Sequence, residues 1–594
     1  APAEPETPLS ASAVRDSGEG TLAEEKLDPE VFAAEIVREG EDAKKFQTLT
    51  EAVAAVRAGD MIRLLTDVTE SITISGPLTL NLNGKTLKSA ANARLSARIR
   101  HRSSSAKAKK FRLFEKGYQA LNILFAASEA APFIKTGGLG DVAQSLPQQL
   151  EKDENTEVRV VIPYYKSIKE NPNFKVSFLT SFGVDLAWRR VHVGIFTAVY
   201  KGVTYYLVDN EFYFYRDGCY GYYDDGERFA YFSKAILEML MHIDFAPDII
   251  HINDWQTALV PAFLRAQYCH MQKYSHIRTV LTIHNIEYQG KVPNEFLSYV
   301  LGMDEGMRNV LTYGDCLNFL KSAIVLCDKI TTVSKTYSFE IRYAYYAHGL
   351  EKILEENSYK LCGITNGINT DIFNPNKDKN IYVNYKAGEV LKKQDNKLAL
   401  QKDLGLEQNP DIPMVSMITR LVSHKGLDLV ECVSKEIMDL GVQFVVVGTG
   451  DEKYENHFRH MAYVYPGKVS ANIKFDTALA SKVYAGSDIF LMPSKSEPCG
   501  LSQLIAMRYG TIPVVRETGG LFDTVPALNT DTLDGRGFTF KVYNAHDMLD
   551  AVRRAVDFYH DKVKYTKVVK NIMKYDCSWK KAASEYINVY NSII

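Results

Sequence analysis

The chain has 594 residues, which is more than one hydrophobic core usually holds, so two or more domains are expected. Its formal net charge is −2 and charged residues make up 24% of it, a balance that predicts neither a nucleic-acid nor a membrane partner. No apolar run reaches transmembrane length, and the acidic start "APAEPETPLS" is unlike a signal peptide.

Residues 1–118 differ in composition from the rest of the chain. The opening stretch is acidic and rich in Pro and Ala, which predicts poor order. Residues 46–87 contain a helix-like segment and short β-rich runs, typical of the first coils of a parallel β-helix. These runs are 62–66, 71–75 and 78–82. Residues 94–112 are basic without any acidic residue, which favours a solvated linker, with an anionic partner as the alternative. We expect an unrelated, partly disordered N-terminal extension without a catalytic role.

From residue 119 onward, continuous apolar runs alternate with amphipathic helical patterns. Such runs are buried on both faces, which predicts parallel sheets covered by helices. The runs are 122–127, 157–163, 205–210, 248–253, 279–285, 329–334, 414–420, 443–450, 488–494 and 511–517. An Asn- and Lys-rich stretch interrupts the series after the sixth run. We therefore predict an α/β protein with two doubly wound, Rossmann-like domains facing a cleft. The predicted parts are an N-terminal domain 119–372, a linker 373–411, a C-terminal domain 412–576 and a docking helix 577–594.

Polar residues follow several predicted strands, which is where doubly wound sheets bind ligands. In the first domain, Lys135 and the paired glycines Gly137 and Gly138 come after the first strand. Glycines at this position let a backbone approach a phosphate closely. Two later strands end at Asp254 and at His284. A single strand-end histidine is more often structural, so the prediction of a site depends on the whole set.

The second domain places two cations, Arg420 and Lys425, after its first strand. A pair of glycines opens a helix at 519–521. Fixed cations and free N–H groups suit a diphosphate. The carboxylate of Glu497 could bind sugar hydroxyls and stabilise positive charge on a glycosyl carbon. The sequence thus predicts a domain cleft that closes over a phosphate-bearing sugar.

The segments "KTGGLGDV", "NDWQTALVPAFL", "TIHNIEYQG", "TRLVSHKGLDL" and "MPSKSEPCGLSQLIAMRYG" appear in this order over residues 119–594. In these segments the chain resembles bacterial glycogen synthases and plant starch synthases. The resemblance implies the two-Rossmann GT-B architecture and a retaining glycosyltransferase. It also implies ADP-glucose as the donor and the non-reducing end of an α-1,4-glucan, glycogen or starch, as the acceptor.

The resemblance also assigns roles to particular residues. The implied catalytic residues are Glu497, His284, Arg420 and Lys425. The implied substrate-binding residues are Lys135, Gly137, Gly138, Asp141, Tyr220, Asp254, Asn285, Phe475, Cys499, Gly500, Leu501, Thr518, Gly519 and Gly520. Among them, Arg420 and Lys425 would stabilise leaving ADP, Glu497 would lie at the donor glucose, and Phe475 would stack on adenine.

The implied mechanism is a front-face displacement in which the leaving phosphate oxygen takes the acceptor proton, so no strong protein base is needed. We expect no cofactor and no metal, because arginine and lysine neutralise the diphosphate. The alternative is a metal-dependent enzyme, with the paired carboxylates of "YYDDGERF" as the metal site. The expected partners are ADP-glucose and the glucan.

Three other functions fit parts of the pattern. One is a glucan synthase that uses UDP-glucose, and another is a phosphorylase-like enzyme, although no sequence context for a pyridoxal phosphate lysine is present. The third is a non-catalytic glucan-binding homologue, against which the retained cations and Glu497 speak. Departures from the family pattern at His424, Asn369, Lys495, Ser496 and Cys577 concern substrate preference and local packing.

The cell compartment is predicted from cysteine usage and from the N-terminus. The eight cysteines are scattered without metal-type spacing, which favours reduced thiols in an intracellular protein. Together with the resemblance, this implies a bacterial cytoplasm. An acidic start disfavours a plastid, since transit peptides contain few acidic residues.

Deleting residues 1–115 should leave glucosyl transfer nearly intact, because no residue in that stretch is assigned a catalytic or binding role. The measurement compares turnover of the full chain and the shortened chain, with thermal unfolding as the control for folding. A collapse of the rate in a shortened chain that unfolds normally would contradict the prediction.

Overall fold

The computed structural model describes residues 120–594 without a break, preceded by the short segments 34–37, 44–46, 51–52, 55, 61–64, 68–69, 79–81 and 87–88. The chain divides into two compact units, Ala1–Glu115 and Lys116–Ile594. Each unit is described by itself.

The first unit contains short paired strands. They are β1 Ala34–Val37, β2 Lys44–Phe46, β3 Met61–Leu64, β4 Val68–Thr69, β5 Thr79–Asn81 and β6 Leu87–Lys88. β3 pairs with β5 and β4 pairs with β6, both in parallel, which is the pairing that coils of a β-helix use. β1 is antiparallel to β2 and β3. The predicted strand 71–75, the acidic start and the basic stretch 94–112 lie outside the described residues.

The second unit contains the remaining strands. Those of its first half are β7 Leu121–Ala126, β8 Thr156–Pro163, β9 Ser177–Leu186, β10 Arg189–Tyr200, β11 Val203–Asp209, β12 Ile249–Asn253, β13 Arg278–Ile283, β14 Lys291–Val292, β15 Thr312–Tyr313, β16 Cys316–Asn318, β17 Lys329–Thr332 and β18 Leu361–Gly363. Those of its second half are β19 Met414–Ile418, β20 Gln443–Val447, β21 Val469–Asn472, β22 Ile489–Met492, β23 Ile512–Arg516 and β24 Phe538–Phe540.

A nine-stranded sheet has the order β18–β17–β13–β12–β7–β8–β11–β10–β9. The strands from β18 to β11 are parallel, and β10 is antiparallel to both of its neighbours. The chain places β8 beside β7 and then adds β9, β10 and β11 on the same side. It then returns to place β12 on the other side of β7. A ligand site is expected at this reversal, at the carboxyl ends of β7 and β12. We call this half the N-terminal domain.

A six-stranded parallel sheet has the order β21–β20–β19–β22–β23–β24. Here the chain reverses between β19 and β22. We call this half the C-terminal domain. The two doubly wound sheets confirm the predicted fold class, and each of the ten predicted apolar runs forms a strand.

Helices cover the sheets. Those of the first half are Gly138–Leu150, Lys166–Lys169, Glu211–Phe214, Asp225–Met239, Val260–Phe263, Phe296–Tyr299, Arg308–Leu311, Phe319–Leu326, Lys335–Glu340, Ala344–Ala347 and Glu351–Glu356. Those of the second half are Leu391–Asp403, Leu427–Cys432, Ser434–Asp439, Glu452–Val464, Thr477–Gly486, Ser502–Arg508, Gly519–Thr524, Ala545–His560, Lys562–Lys574 and Lys580–Asn591. Within the described residues, none of the helices has the length and apolar character needed to cross a bilayer.

The helix Gly138–Leu150 shows how sequence spacing builds these layers. Its buried apolar positions recur every three or four residues, so they share one face. They are Leu139, Val142, Leu146 and Leu150. That face packs in the core beneath β7 and β8, together with Ile123 and Val160. The loop with Lys135, Gly137 and Gly138 leads into this helix, and we call it the glycine loop. It is therefore attached to a well-packed element.

The Asn- and Lys-rich stretch predicted as a linker contains the helix Leu391–Asp403. The Lys397 ammonium lies 2.7 Å from the Asp488 carboxylate, and the Lys393 ammonium donates to the Ala485 carbonyl at 2.8 Å. Both lysines are buried, and burial lowers the pKa of Lys393 to about 7. The helix is thus an integral part of the C-terminal domain.

The chain passes between the two domains twice. It leaves the N-terminal domain after β18 and returns near residue 577. The two passages touch, because the Ile368 N–H donates to the Cys577 carbonyl at 2.8 Å. After the return, the helix Lys580–Asn591 buries Tyr586 and Tyr590 in the N-terminal core.

The buried His251 should make the fold sensitive to acid. Its ring nitrogens lie 2.7 Å from the Tyr590 hydroxyl and 2.6 Å from the Thr282 hydroxyl. Burial lowers the pKa of His251 from 6.5 to about 3. Between these pH values the unfolded chain binds more protons than the folded chain, so the free energy of unfolding falls as the pH falls.

We expect His251→Gln to reduce that loss by up to about 1.4 kcal/mol per pH unit, as measured by urea unfolding between about pH 4 and pH 6. The exposed His270 provides the control, and His270→Gln should leave the pH dependence unchanged. Equal pH dependence in wild type and His251→Gln would contradict the assignment.

Candidate active site

Several of the candidate residues lie where the chain reverses in each sheet. In the N-terminal domain, the glycine loop follows β7 and Asp254 follows the adjacent β12. In the C-terminal domain, Arg420 and Lys425 follow β19, and Glu497 follows the adjacent β22. Both groups therefore occupy the position at which doubly wound sheets bind ligands.

A buried carboxylate, Glu129, shapes the glycine loop. Its Oε2 accepts the Thr136 N–H at 2.7 Å, and its Oε1 accepts the N–H groups of Gly140 at 2.9 Å and Gly137 at 3.2 Å. Gly137 is the N-cap of the helix that begins at Gly138 and has no side chain to cap it, so Glu129 does this instead. The sequence patterns did not point to Glu129. A carboxylate shortly before a glycine-opened helix is the signal that could have found it.

Lys135 pairs with Asp141, and the ammonium lies 2.7 Å from the carboxylate. The side chains are 41% and 26% exposed. Partly exposed pairs of this kind contribute little to stability, so a phosphate can replace the carboxylate at small cost.

Asp254 and His284 form a hydrogen-bonded unit at the ends of β12 and β13. Asp254 Oδ1 accepts the N–H of His284 at 2.7 Å and of Asn285 at 3.4 Å, and burial raises the pKa of Asp254 to about 7. His284 Nε2 lies 2.9 Å from Asn253 Oδ1, while the Asn253 amide donates to the Ala126 carbonyl. Burial lowers the pKa of His284 to about 3, so the ring is neutral near pH 7 and offers hydrogen bonds instead of charge.

Tyr220 contacts the segment that follows β7. Its hydroxyl lies 2.7 Å from the Ser128 hydroxyl, next to Glu129 along the chain. The nearby carboxylates of Asp224 and Asp225 pair with Arg216 and Arg228, respectively. Among the described residues, no group of three or more His, Cys, Asp or Glu side chains could hold a metal ion.

In the C-terminal domain, Lys425 and Glu497 form a mostly buried ion pair at 2.7 Å, with side-chain exposures of 17% and 9%. The Ser494 hydroxyl donates to the same carboxylate oxygen at 2.9 Å. Arg420 is exposed on the loop after β19. The site therefore contains one cation that is already paired and one that faces solvent.

The loop that carries Glu497 lies directly against the turn at Thr518. Gly519 has a φ of +45°, and a Cβ atom there would lie 2.0 Å from the Glu497 carbonyl oxygen. A Cβ on Gly520 would lie 2.0 Å from the Cys499 carbonyl oxygen. The Gly520 N–H donates to the Glu497 carbonyl at 3.1 Å, and the Gly519 N–H donates to the Glu340 carboxylate at 3.0 Å. A phosphate could use these two N–H groups only by displacing their present acceptors.

Cys499, Gly500 and Leu501 continue this loop. Burial raises the pKa of Cys499 to about 12, so the thiol stays protonated and is a poor nucleophile. Leu501 packs against the cores of both domains.

Phe475 follows β21, at the edge of the sheet and two strands from β19. The residue is 84% exposed. The structure therefore places it apart from the pair formed by Lys425 and Glu497.

The chain matches two family models, "Starch synthase catalytic domain" over residues 122–356 and "Glycosyl transferases group 1" over residues 376–572. It is 48% identical to a glycogen synthase of Clostridium acetobutylicum over 478 residues, which cover 80% of this chain and 100% of that protein. A glycogen synthase of Bacillus cereus is 48% identical over 477 residues, with the same coverage. Among solved structures, the catalytic domain of starch synthase IV from Arabidopsis thaliana bound to ADP and acarbose is similar, with a TM-score of 0.74 and 34% identity, over 80% of this chain and 99% of that chain.

Replacing Glu129 by Ala should loosen the glycine loop. The variant removes the charged acceptor of three N–H groups, and a hydrogen bond to a charged group contributes about 1.5–3 kcal/mol, so hydrogen exchange at Thr136, Gly137 and Gly140 should accelerate about tenfold or more. Hydrogen exchange followed by mass spectrometry measures this directly. Glu154→Ala removes an exposed carboxylate and should leave the loop unchanged. Equal exchange in both variants would show that Glu129 does not hold the loop.

Proposed function

The chain belongs to the glycogen synthase and starch synthase family of glycosyltransferases, and from this premise we propose that it transfers glucose from ADP-glucose to the non-reducing end of an α-1,4-glucan with retention of configuration. The observation that carries the proposal is the ion pair between Lys425 and Glu497, at the chain reversal of a GT-B domain. The similar starch synthase IV was solved with ADP and acarbose bound. That pairing of ligands supports a nucleotide and a sugar chain in one cleft.

We propose that Arg420 and Lys425 bind the diphosphate, joined by Lys135 from the other domain. As the bond between glucose C1 and the phosphate oxygen breaks, negative charge grows on the leaving ADP. Fixed cations stabilise that charge more strongly than the charge of the ground state, which lowers the barrier. Because lysine and arginine carry the needed positive charge, the proposed reaction uses neither a metal nor another cofactor.

Glu497 stabilises the positive charge that develops on the glucosyl carbon. The glucosyl carbon becomes positive in an oxocarbenium-like transition state, and a nearby carboxylate stabilises it. The Lys425 ammonium, 2.7 Å from the carboxylate, balances the negative charge of Glu497 in its mostly buried position. The bond from the acceptor oxygen to C1 forms on the face that ADP leaves, and the acceptor proton passes to the departing phosphate oxygen.

The N-terminal domain supplies neutral polar groups to the sugars. In this proposal His284, Asp254, Asn285 and Tyr220 bind glucose or glucan hydroxyls. His284 is suited to this because its neutral ring is oriented by Asn253. The stacking of adenine on Phe475, the phosphate contact of the turn at Thr518 and the lining of the glucose pocket by Cys499 stay predictions.

We also propose that the enzyme acts in a reducing compartment, the cytoplasm. All eight cysteines are free thiols in the structure, and half of them are buried.

Closure of the two domains over the donor would exclude water and favour transfer over hydrolysis.

The test is incorporation of labelled glucose from ADP-glucose or UDP-glucose into glycogen, with EDTA present. Glu497→Ala and Lys425→Ala should each lower the rate roughly 100-fold to 1,000-fold, because each removes a charge that acts in the transition state. Lys402→Ala removes an exposed lysine of the same domain and serves as the matched control.

Metal-free transfer from ADP-glucose that is lost in the first two variants and kept in the control supports donor, mechanism and site together. Transfer from UDP-glucose alone would overturn the donor. Glycogen binding without transfer from either donor would make the chain a binding protein.

A further inference from the structure

A carboxylate of the N-terminal domain reaches the active-site turn of the C-terminal domain. Glu340 ends the helix Lys335–Glu340, which follows β17. Its Oε1 accepts the Thr518 hydroxyl at 2.8 Å and the Gly519 N–H at 3.0 Å. Thr518 is fully buried, so its hydroxyl has little access to water as an alternative partner.

Backbone atoms of this turn contact the backbone of the loop that carries Glu497. The Gly520 N–H donates to the Glu497 carbonyl, and the glycines at 519 and 520 leave no gap between the turn and the loop. Contacts this close transmit a displacement, because backbone atoms cannot rotate out of the way as a side chain can. A shift of Thr518 therefore moves the loop that carries Glu497.

Glu340 binds the turn at a cost. Its Oε2 is buried and has no hydrogen-bond partner among the described residues. Burial also raises the pKa of Glu340 above its ordinary value, against the effect of the bonds from Gly519 and Thr518. A buried carboxylate oxygen without a hydrogen-bond partner costs free energy, so Glu340 adds little to the stability of the contact between the domains. Its specific contribution is one oxygen that accepts both an O–H and an N–H across the domain boundary.

The same helix makes a second contact across the boundary. Thr336 donates to the Asp523 carboxylate through its hydroxyl at 2.6 Å and its N–H at 3.1 Å. This contact also joins the two domains: it reaches Asp523, further along the helix that begins at Gly519, and makes no bond to Thr518, Gly519 or Gly520. It therefore offers a comparison that separates adhesion between domains from positioning of the turn.

We propose that Glu340 is a positioning residue for glucosyl transfer, holding the turn Thr518–Gly520, and through it the loop of Glu497, in the reactive arrangement. This inference rests on the proposed function. Because Glu340 belongs to the opposite domain, the donor site in the C-terminal domain is fully ordered only when the two domains are together. Separation of the domains withdraws the carboxylate and loosens the loop.

The test measures kcat and KM for ADP-glucose, and ADP affinity by calorimetry, in Glu340→Ala, Glu340→Gln and Thr336→Val. Glu340→Ala should lower kcat about tenfold to 100-fold, as misplacement of a catalytic group does, with a smaller effect on ADP affinity. Glu340→Gln should restore most of kcat, because its amide oxygen can still accept both bonds. Thr336→Val should stay within about twofold of wild type, as for a surface contact outside the site.

Hydrogen exchange at Gly519 supplies a readout that does not depend on activity. It should accelerate in Glu340→Ala and stay unchanged in Thr336→Val. Equal losses of kcat in Glu340→Ala and Thr336→Val would show that Glu340 only holds the two domains together, which would overturn the proposal. Tighter ADP binding by Glu340→Ala would show that the carboxylate competes with phosphate, which also overturns the proposal. If wild type transfers no glucose, the proposed function fails, and unchanged exchange at Gly519 in Glu340→Ala would separately overturn the positioning.

Discussion

The ion pair between Lys425 and Glu497 is the interaction on which the rest of the site depends. A carboxylate removed from water costs several kcal/mol unless an opposite charge compensates it. The partner must come from the neighbouring strand end, so the loops after β19 and β22 have to lie side by side. A parallel sheet in which the chain reverses between these two strands provides that adjacency. The turn at Thr518 then fixes the loop of Glu497 from its other side, and Glu340 of the opposite domain holds the turn.

Much of this arrangement is readable in the sequence. The ten apolar runs form strands because a strand covered on both faces has to be apolar along its whole length. The cations and Glu497 were found from their positions after such strands, where the fold brings polar groups together. The family resemblance is confirmed by the relatives and by the similar solved structure. Local pattern was sufficient to place a residue that directly follows its own strand.

Contacts between distant side chains could not be read in the same way. Glu129 acts through N–H groups seven to eleven residues later, and Glu340 acts on a turn in another domain. No periodicity marks either of them. The stretch with Lys393 and Lys397 is dense in Asn and Lys and was therefore predicted as a linker, since lysine is rarely buried. Only the tertiary structure shows the carbonyl and carboxylate oxygens that receive these ammonium groups.

The return of the last helix to the N-terminal domain affects how the protein is made. Tyr586 and Tyr590 fill the core of a domain whose first strand begins at residue 121. The ribosome therefore releases this packing element of the domain only after every strand of the C-terminal sheet has emerged. Domains of a nascent chain usually fold in the order of synthesis. Here the N-terminal domain emerges before the C-terminal sheet but is completed after it, and until then its core lacks Tyr586 and Tyr590.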